Sequence, residues 1–399
     1  MMCTMNRVIS SCNLYFLVCV LCMLNGVLFE GNSVFIVGLQ AFLILVSIVY
    51  AFSSNFHFRV PQYIKGLNIL IILFSIYGFF LIFNTEHLTV KMIGVEVSKT
   101  TFLKNIYLSL LPIYAFYYFS KKKQLHIGLM QFWSIVFLVI AVVNFFHYRT
   151  YALSIVTGNE ITNNAAYGFV GLLPALILFN KKRVFQYLYL AICVVFIVIG
   201  MKRGAILASV IGIVWYLLFS FKRTNVKSRW GYVIFAIIVF IVGRFFISYM
   251  IETSDYFNLR IAQTVSNDNS GRSGLYSMFY EHFIHETNIL RLLFGNGASA
   301  TLIIGDNYAH NDWLEIAINH GVIGLIVYAY YWVCFFRTWR KSKNYDEAYL
   351  AIGMIMIVYF AMSFYSMSYD GMSRGATMVL GYFLANYLYK KEEPDKLID

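Results

Sequence analysis

VFQYLYLAICVVFIVIGMKRGAILASVIGIVWYLLFSF, running from Val184 to Phe221, decides the fold. These 38 residues are apolar almost throughout, apart from Lys202 and Arg203. As one helix they would extend about 57 Å, roughly twice the hydrocarbon thickness of a bilayer. The stretch is therefore expected to fold back as two membrane-crossing helices. Gly200 and Gly204 bracket Lys202-Arg203 and are read as supplying the turn. Both cations then sit at a membrane face.

The rest of the chain agrees. Of 399 residues, 60% are hydrophobic and 13% charged, and the charged share is about half that of a soluble domain. So little polar surface excludes a soluble enzyme, a disordered chain and a fibrous protein. An all-α integral membrane protein remains. At about 20 apolar residues per span, twelve spans are predicted in one polytopic domain covering residues 1–399. Nine precede a long loop: Val8–Leu28, Val34–Phe52, Leu67–Phe83, Thr101–Phe119, Ile127–Phe146, Asn164–Phe179, Val184–Gly200, Gly204–Phe221 and Tyr232–Met250. Three follow it: Ile316–Phe336, Ala348–Ser366 and Gly375–Tyr389. Val8–Leu28 is long enough to span and no small-residue cleavage site follows, so it reads as an uncleaved first helix. The six cysteines share no loop and show no metal-ligand spacing; apart from Cys3 they lie in apolar runs and read as small core residues.

Charge orients the chain. Lys and Arg recur in every second connection: Arg59 and Lys65; Lys121, Lys122 and Lys123; Lys181, Lys182 and Arg183; Lys222, Arg223, Lys227 and Arg229; Arg337, Arg340, Lys341 and Lys343; and the C-terminal Lys390, Lys391 and Lys396. Cytoplasmic loops carry such an excess. Both termini are thus expected inside, and the net charge of +12 calls for no nucleic-acid partner. The longest loop, 251–315, is then extracytoplasmic, between spans nine and ten. Leu275, Met278, Phe279 and Phe283 recur there at helical spacing and predict one or two short helices on the outer membrane face.

Cations on the wrong side need a reason. They are Lys202 and Arg203 in the hairpin, Arg244 late in span nine, Arg260, Arg272 and Arg291 in the long loop, and Arg374 opening span twelve, with Lys91, Lys99, Lys104 and Arg149. Arg149 and Arg260 read as solvated or paired surface residues. Arg244 lies at membrane depth, where an ionisable residue is functional by default, or it snorkels to the interface. A guanidinium offers a planar donor fork suited to phosphate and carboxylate. Several at one outer face would bind an anionic ligand such as a lipid-linked phosphate.

Ala309-His310-Asn311-Asp312-Trp313-Leu314-Glu315 opens span ten. Asn311 or Asp312 suits the helix cap, which puts His310 at the helix mouth. An imidazole there can take a proton from a sugar hydroxyl or serve as a plain polar anchor. Glu315 either orients it or is an ordinary helix-start acid. Gly321 and Gly324 would admit a neighbouring helix.

His310-Asn311, followed by Gly321 and Gly324, resembles the signature of the O-antigen polymerase and O-antigen ligase superfamily, placed after the large loop as in that family. Arg203 and Leu207 match its Arg-x-x-x-Leu motif. Ser270-Gly271-Arg272 and then Leu293-Phe294-Gly295-Asn296-Gly297 resemble its Gly-Arg and Phe-Gly-x-Gly steps. The likeness covers roughly residues 200 to 325; the N-terminal half matches only as a run of hydrophobic spans.

The resemblance implies a periplasmic glycosyltransferase of the bacterial inner membrane whose donor is a glycan on undecaprenyl pyrophosphate. Arg203 and Arg272 would hold the pyrophosphate, His310 would be the general base, and Asn311 would position His310 or a sugar. Glu315, Arg291, Arg374 and Arg244 are further substrate-binding candidates. No cofactor is expected. No Asp-x-Asp or His/Asp cluster is found on the outer face, so metal independence is expected. Expected partners are the lipid-linked oligosaccharide, membrane lipid and a chain-length regulator protein. The motif style favours a polymerase, which adds the growing chain to another lipid-linked repeat unit; the alternative is a ligase, which transfers it to lipid A–core. A flippase would need cations nearer the midplane and repeated halves.

Overall fold

A computed structural model describes residues 2–28, 33–83, 89–92, 95–98, 100–155, 162–223, 272–366, 368 and 372–392, with scattered positions between 241 and 258. The predicted ninth span, the start of the long loop, Arg260, Lys99 and Ser270-Gly271 lie largely or wholly outside the described residues.

The described residues are helical apart from connections and one antiparallel ribbon. The elements are α1 (Met2–Met23), α2 (Asn25–Leu28), α3 (Ser33–His57), α4 (Gln62–Phe83), β1 (Thr89–Met92), β2 (Val95–Ser98), α5 (Thr100–Leu110), α6 (Pro112–Lys121), α7 (Ile127–Ile155), α8 (Ala166–Leu172), α9 (Arg183–Ile199) and α10 (Arg203–Arg223). After the undescribed stretch come α11 (Arg272–Ile284), α12 (Ile289–Phe294), α13 (Ala300–Gly305), α14 (Asp312–Lys341), α15 (Asp346–Met362) and α16 (Arg374–Glu392). The ribbon pairs Thr89 with Ser98, in a connection where no strand was predicted.

Among the described residues, five helices are long and apolar enough to cross a membrane: Val34–His57, Gln62–Phe80, Ile127–Tyr151, Arg203–Lys222 and Asp312–Lys341. Shorter apolar helices cover Ser11–Met23, Ala166–Phe179 and Arg183–Ile199. Their outward faces are bare hydrocarbon. On α3, Val34, Phe42, Leu45, Val49, Phe52 and Phe56 are exposed; on α10, Leu207, Val210, Val214, Leu218 and Phe221 are. Such stripes at helical spacing suit lipid and not water.

Two predicted spans are broken, each beside a proline. Thr101–Phe119 divides at Leu111 into α5 and α6, with Pro112 in the first turn of α6. Asn164–Phe179 begins as α8 and tightens into a 3-10 helix, Leu173–Phe179, at Pro174. Proline lacks the amide that an uninterrupted helix needs. The buried α6 packs against α3 and α16, α4 against α14, and α10 against α15. Cys12, Cys19, Cys22, Cys193 and Cys334 are free thiols in this core.

The hairpin at Lys202 is present, although its turn is made differently. Gly200 is right-handed with φ −67°; Met201, at φ 50°, takes the left-handed conformation. The glycines serve close approach. A Cβ at Gly200 would lie 2.7 Å from that of Ala166, and one at Gly204 would collide with the Tyr167 hydroxyl. Asn163 ties the turn down by donating its amide to the Gly200 carbonyl at 2.8 Å.

Candidate functional site

Three short helices, α11 to α13, occupy the described part of the long loop, one more than the upper expectation. They pack on the first part of α14. That helix is two helices joined at Gly321, whose φ of 64° and ψ of −161° are non-helical. A Cβ on Gly321 would lie 2.6 Å from the Leu292 carbonyl oxygen and the Gly295 nitrogen. The Phe294-Gly295-Asn296-Gly297 step therefore crosses directly over the break. Asn296 N–H donates to the Ile318 carbonyl at 2.8 Å, and Gly297 N–H to that of Asn319 at 3.0 Å. Gly321 receives the last turn of the short helix α12 and the glycine step after it, because only a residue without Cβ leaves room there. A Cβ at Gly324 would meet His320 of its own helix across the bend.

The segment before α14 is held from several directions. Asn311 is the cap: its Oδ1 accepts from Trp313 N–H at 2.9 Å and Leu314 N–H at 3.2 Å, while its Nδ2 donates to the Phe364 carbonyl at 3.0 Å. Glu315 is fully buried. Its Oε2 accepts the Ala309 amide at 2.8 Å, and its Oε1 accepts from Thr301 Oγ1 at 2.5 Å and Asn319 Nδ2 at 3.0 Å. The carboxylate thus fixes the residue before His310. Asp312, also buried, accepts from Tyr328 at 2.6 Å, from Ser368 N–H at 2.9 Å and from the Ser368 hydroxyl.

His310 itself has φ 51°, a left-handed conformation that costs a non-glycine residue about 1–2 kcal/mol and that the anchors on both sides enforce. Its carbonyl accepts from the Tyr276 hydroxyl at 3.1 Å. Burial, then the charges of Arg272 and Lys202, press its imidazole down from 6.5 to about 4. Histidine is thus held neutral beside two cations drawn from distant segments.

Arg272 opens α11 and donates from Nη1 to the Tyr365 carbonyl at 2.9 Å. The Tyr365 hydroxyl in turn donates to the Gly204 carbonyl at 3.3 Å. One tyrosine thereby ties the loop arginine to the hairpin that carries Lys202 and Arg203. The Ser366 hydroxyl reaches Tyr167 Oη at 3.3 Å on the same side. Burial pushes the Tyr276 phenol up, so it remains a protonated donor.

The structure brings Arg272, His310 and the hairpin together. Arg203 is the half-buried first residue of α10, next to the Lys202 whose charge reaches His310. Arg374 stands apart: it lines a cavity of about 180 Å³ with Met23, Asn144, Tyr148 and Ser373. Ala165 just before α8, and Gly168 and Leu172 within it, line that cavity too, while Tyr167 of the same helix turns to Gly204. Arg291 is exposed on α12, and Arg244 is exposed among undescribed neighbours. Sequence reading placed Lys202 at the membrane face but left it out of the site. It missed Tyr167, Tyr276 and Tyr365; in a chain with 31 tyrosines no local pattern marks these three.

Hairpin, loop arginine and helix-mouth histidine fall within one matched stretch. Residues 188–329 match the Wzy_C family, O-antigen ligase. The match supports the O-antigen polymerase and ligase superfamily and indicates a function of that type, with glycosyltransferase-like chemistry. Wzy_C similarity begins in α9 and ends in α14, so Lys202, Arg203, Arg272 and His310 all lie inside it. No curated protein matches the chain.

Proposed function

We propose that this chain is an O-antigen polymerase that transfers a growing glycan from undecaprenyl pyrophosphate to a second lipid-linked repeat unit. The observation that carries the reading is His310 at the mouth of α14, held by Tyr276, with Arg272 tied through Tyr365 to the hairpin of Lys202 and Arg203. In this mechanism His310 takes the proton of the acceptor hydroxyl as its oxygen attacks the anomeric carbon of the donor. The bond from that carbon to the pyrophosphate oxygen breaks, and undecaprenyl pyrophosphate leaves with the electron pair. Arg272, Lys202 and Arg203 offset the charge that develops on the leaving oxygen, as fixed cations do in a water-poor site. An incoming pyrophosphate also offsets their effect on His310, which raises its basicity when the donor is bound. The proton then passes to water.

The proposal includes metal independence, because the cations supply the charge stabilisation. It also includes twelve spans, both termini on the cytoplasmic side of a bacterial inner membrane, and residues 251–315 as a periplasmic loop. Asn311 and Glu315 position His310. Arg291, Arg374 and Arg244 are proposed to meet more remote parts of the lipid-linked substrates, and a chain-length regulator is the proposed protein partner.

A His310→Ala strain tests the assignment. A polymerase defect leaves lipid A–core capped with single repeat units, because a separate ligase still acts. Bare core with polymer accumulating on the carrier would make the chain the ligase. Single lipid-linked units trapped on the cytoplasmic side would make it a flippase. Normal long chains would remove His310 from the chemistry.

A further inference from the structure

At the opposite end of the α4–α14 pair from His310 lies a second cationic site. On the His310 side, the Tyr77 hydroxyl of α4 reaches the His320 carbonyl at 3.5 Å. At the other end, Tyr63 N–H donates to Thr338 Oγ1 at 2.8 Å. From Asp312 to Lys341, α14 covers about 40 Å, the thickness of a bilayer with its headgroups. Beside Thr338 opens a cavity of about 440 Å³, within the size range of ligand sites. Arg59, Lys65 and Lys341 line it, with Gln62 and an apolar wall of Val60, Pro61 and Leu388.

Two observations point to an occupant. The three cations come from the α3–α4 connection, the first turn of α4 and the last turn of α14, and all open on one cavity with no acidic residue among the described residues that line it. In addition, the Gln62 side-chain oxygen is buried with no hydrogen-bond partner, and a buried acceptor needs a donor. A phosphate joined to a hydroxyl-bearing group satisfies the cations and Gln62, and the apolar wall suits a glycerol backbone. We infer that this cavity binds the phosphate of an anionic, glycerol-containing lipid headgroup, in the leaflet opposite the His310 site. Basic pockets between membrane helices bind such headgroups. This site stands whichever glycan the His310 site handles.

The test uses the purified full chain in nanodiscs of phosphatidylcholine doped with phosphatidylglycerol or cardiolipin. Thermal shift and native mass spectrometry are read with each lipid, and with inorganic phosphate at equal phosphate concentration. Retention and stabilisation by the anionic lipids are expected, with at least a tenfold weakening in the triple variant Arg59→Gln, Lys65→Gln, Lys341→Gln. The single variant Lys341→Gln gives a smaller loss in the same direction if the triple variant does not fold. Lys121→Gln with Lys122→Gln, on neighbouring cations outside the cavity, should leave retention unchanged. Equal binding in the cavity variants, equal retention of phosphatidylcholine, or saturation by inorganic phosphate alone would overturn the assignment. The first two results would return the three cations to a solvated, orienting role.

Discussion

Arg272 donates from Nη1 to the backbone carbonyl of Tyr365 at 2.9 Å. The contact holds a loop arginine against the segment that follows α15. Arg272→Lys keeps the charge and loses both the fork and this geometry. Glycan chains should shorten markedly on a gel, as they should for Arg203→Lys, whereas Arg149→Ala should leave them long. Equal tolerance at all three positions would return these arginines to surface duty.

Glu315 serves through position. In Glu315→Gln the amide NH₂ must face one of three donors, Ala309 N–H, Thr301 Oγ1–H or Asn319 Nδ2–H. A buried donor left unmatched costs about 1–3 kcal/mol. The variant should melt earlier in detergent and make fewer long chains, with kcat reduced more than KM because His310 is displaced and the ligand contacts persist. An unchanged melting point would contradict the network.

The pH dependence follows from the depressed histidine. Between about 4 and 6.5 the unfolded chain binds a proton that folded His310 refuses. Stability therefore rises with pH through that window, and this contribution is lost as pH falls from 6.5 toward 4. His310→Ala should flatten the melting temperature across the same window. The acid limb of kcat/KM should lie well below neutrality in the wild type. It should move upward in Lys202→Gln, since one of the charges that lower His310 is gone. An acid limb unmoved by Lys202→Gln would show that the two groups do not interact.

Gly321→Ala should be severely destabilising. It combines a positive φ with a Cβ 2.6 Å from loop backbone, and backbone cannot yield as a side chain can. Gly38→Ala, in α3 with open space around its Cβ, should instead be neutral or stabilise by about 0.5–1 kcal/mol. Expression and melting temperature compare the two.

Length and charge made the hairpin legible: 38 apolar residues do not fit a bilayer once, and Lys202-Arg203 mark the only polar break. His310 was legible as the residue just before the α14 cap. What escaped the sequence depends on contacts between remote segments. Gly321 looks like a helix-packing glycine, and it does admit α12, but the break it makes in α14 shows only once the Phe294–Gly297 step is seen crossing it. Glu315 looks like a helix-start acid until Ala309 folds back onto it. Tyr365 and Tyr276 bind through backbone carbonyls of Gly204 and His310, and side chains chosen to reach a distant carbonyl leave no spacing to read. The long helices α3, α4, α7 and α10 coincide with predicted spans, but Pro112 and Pro174 split two others that hydropathy alone left whole.

The central claim is that His310 drives transfer from a pyrophosphate-linked donor without metal. The most direct measurement is chain elongation by the purified protein in liposomes that contain undecaprenyl-pyrophosphate-linked repeat units and a chelator. A ladder of lengthening lipid-linked glycans is expected with the wild type, and a rate about 10²–10⁴ lower with His310→Ala. A wild-type ladder that disappears with the chelator and returns with a divalent cation, or an undiminished ladder from His310→Ala, would contradict that claim.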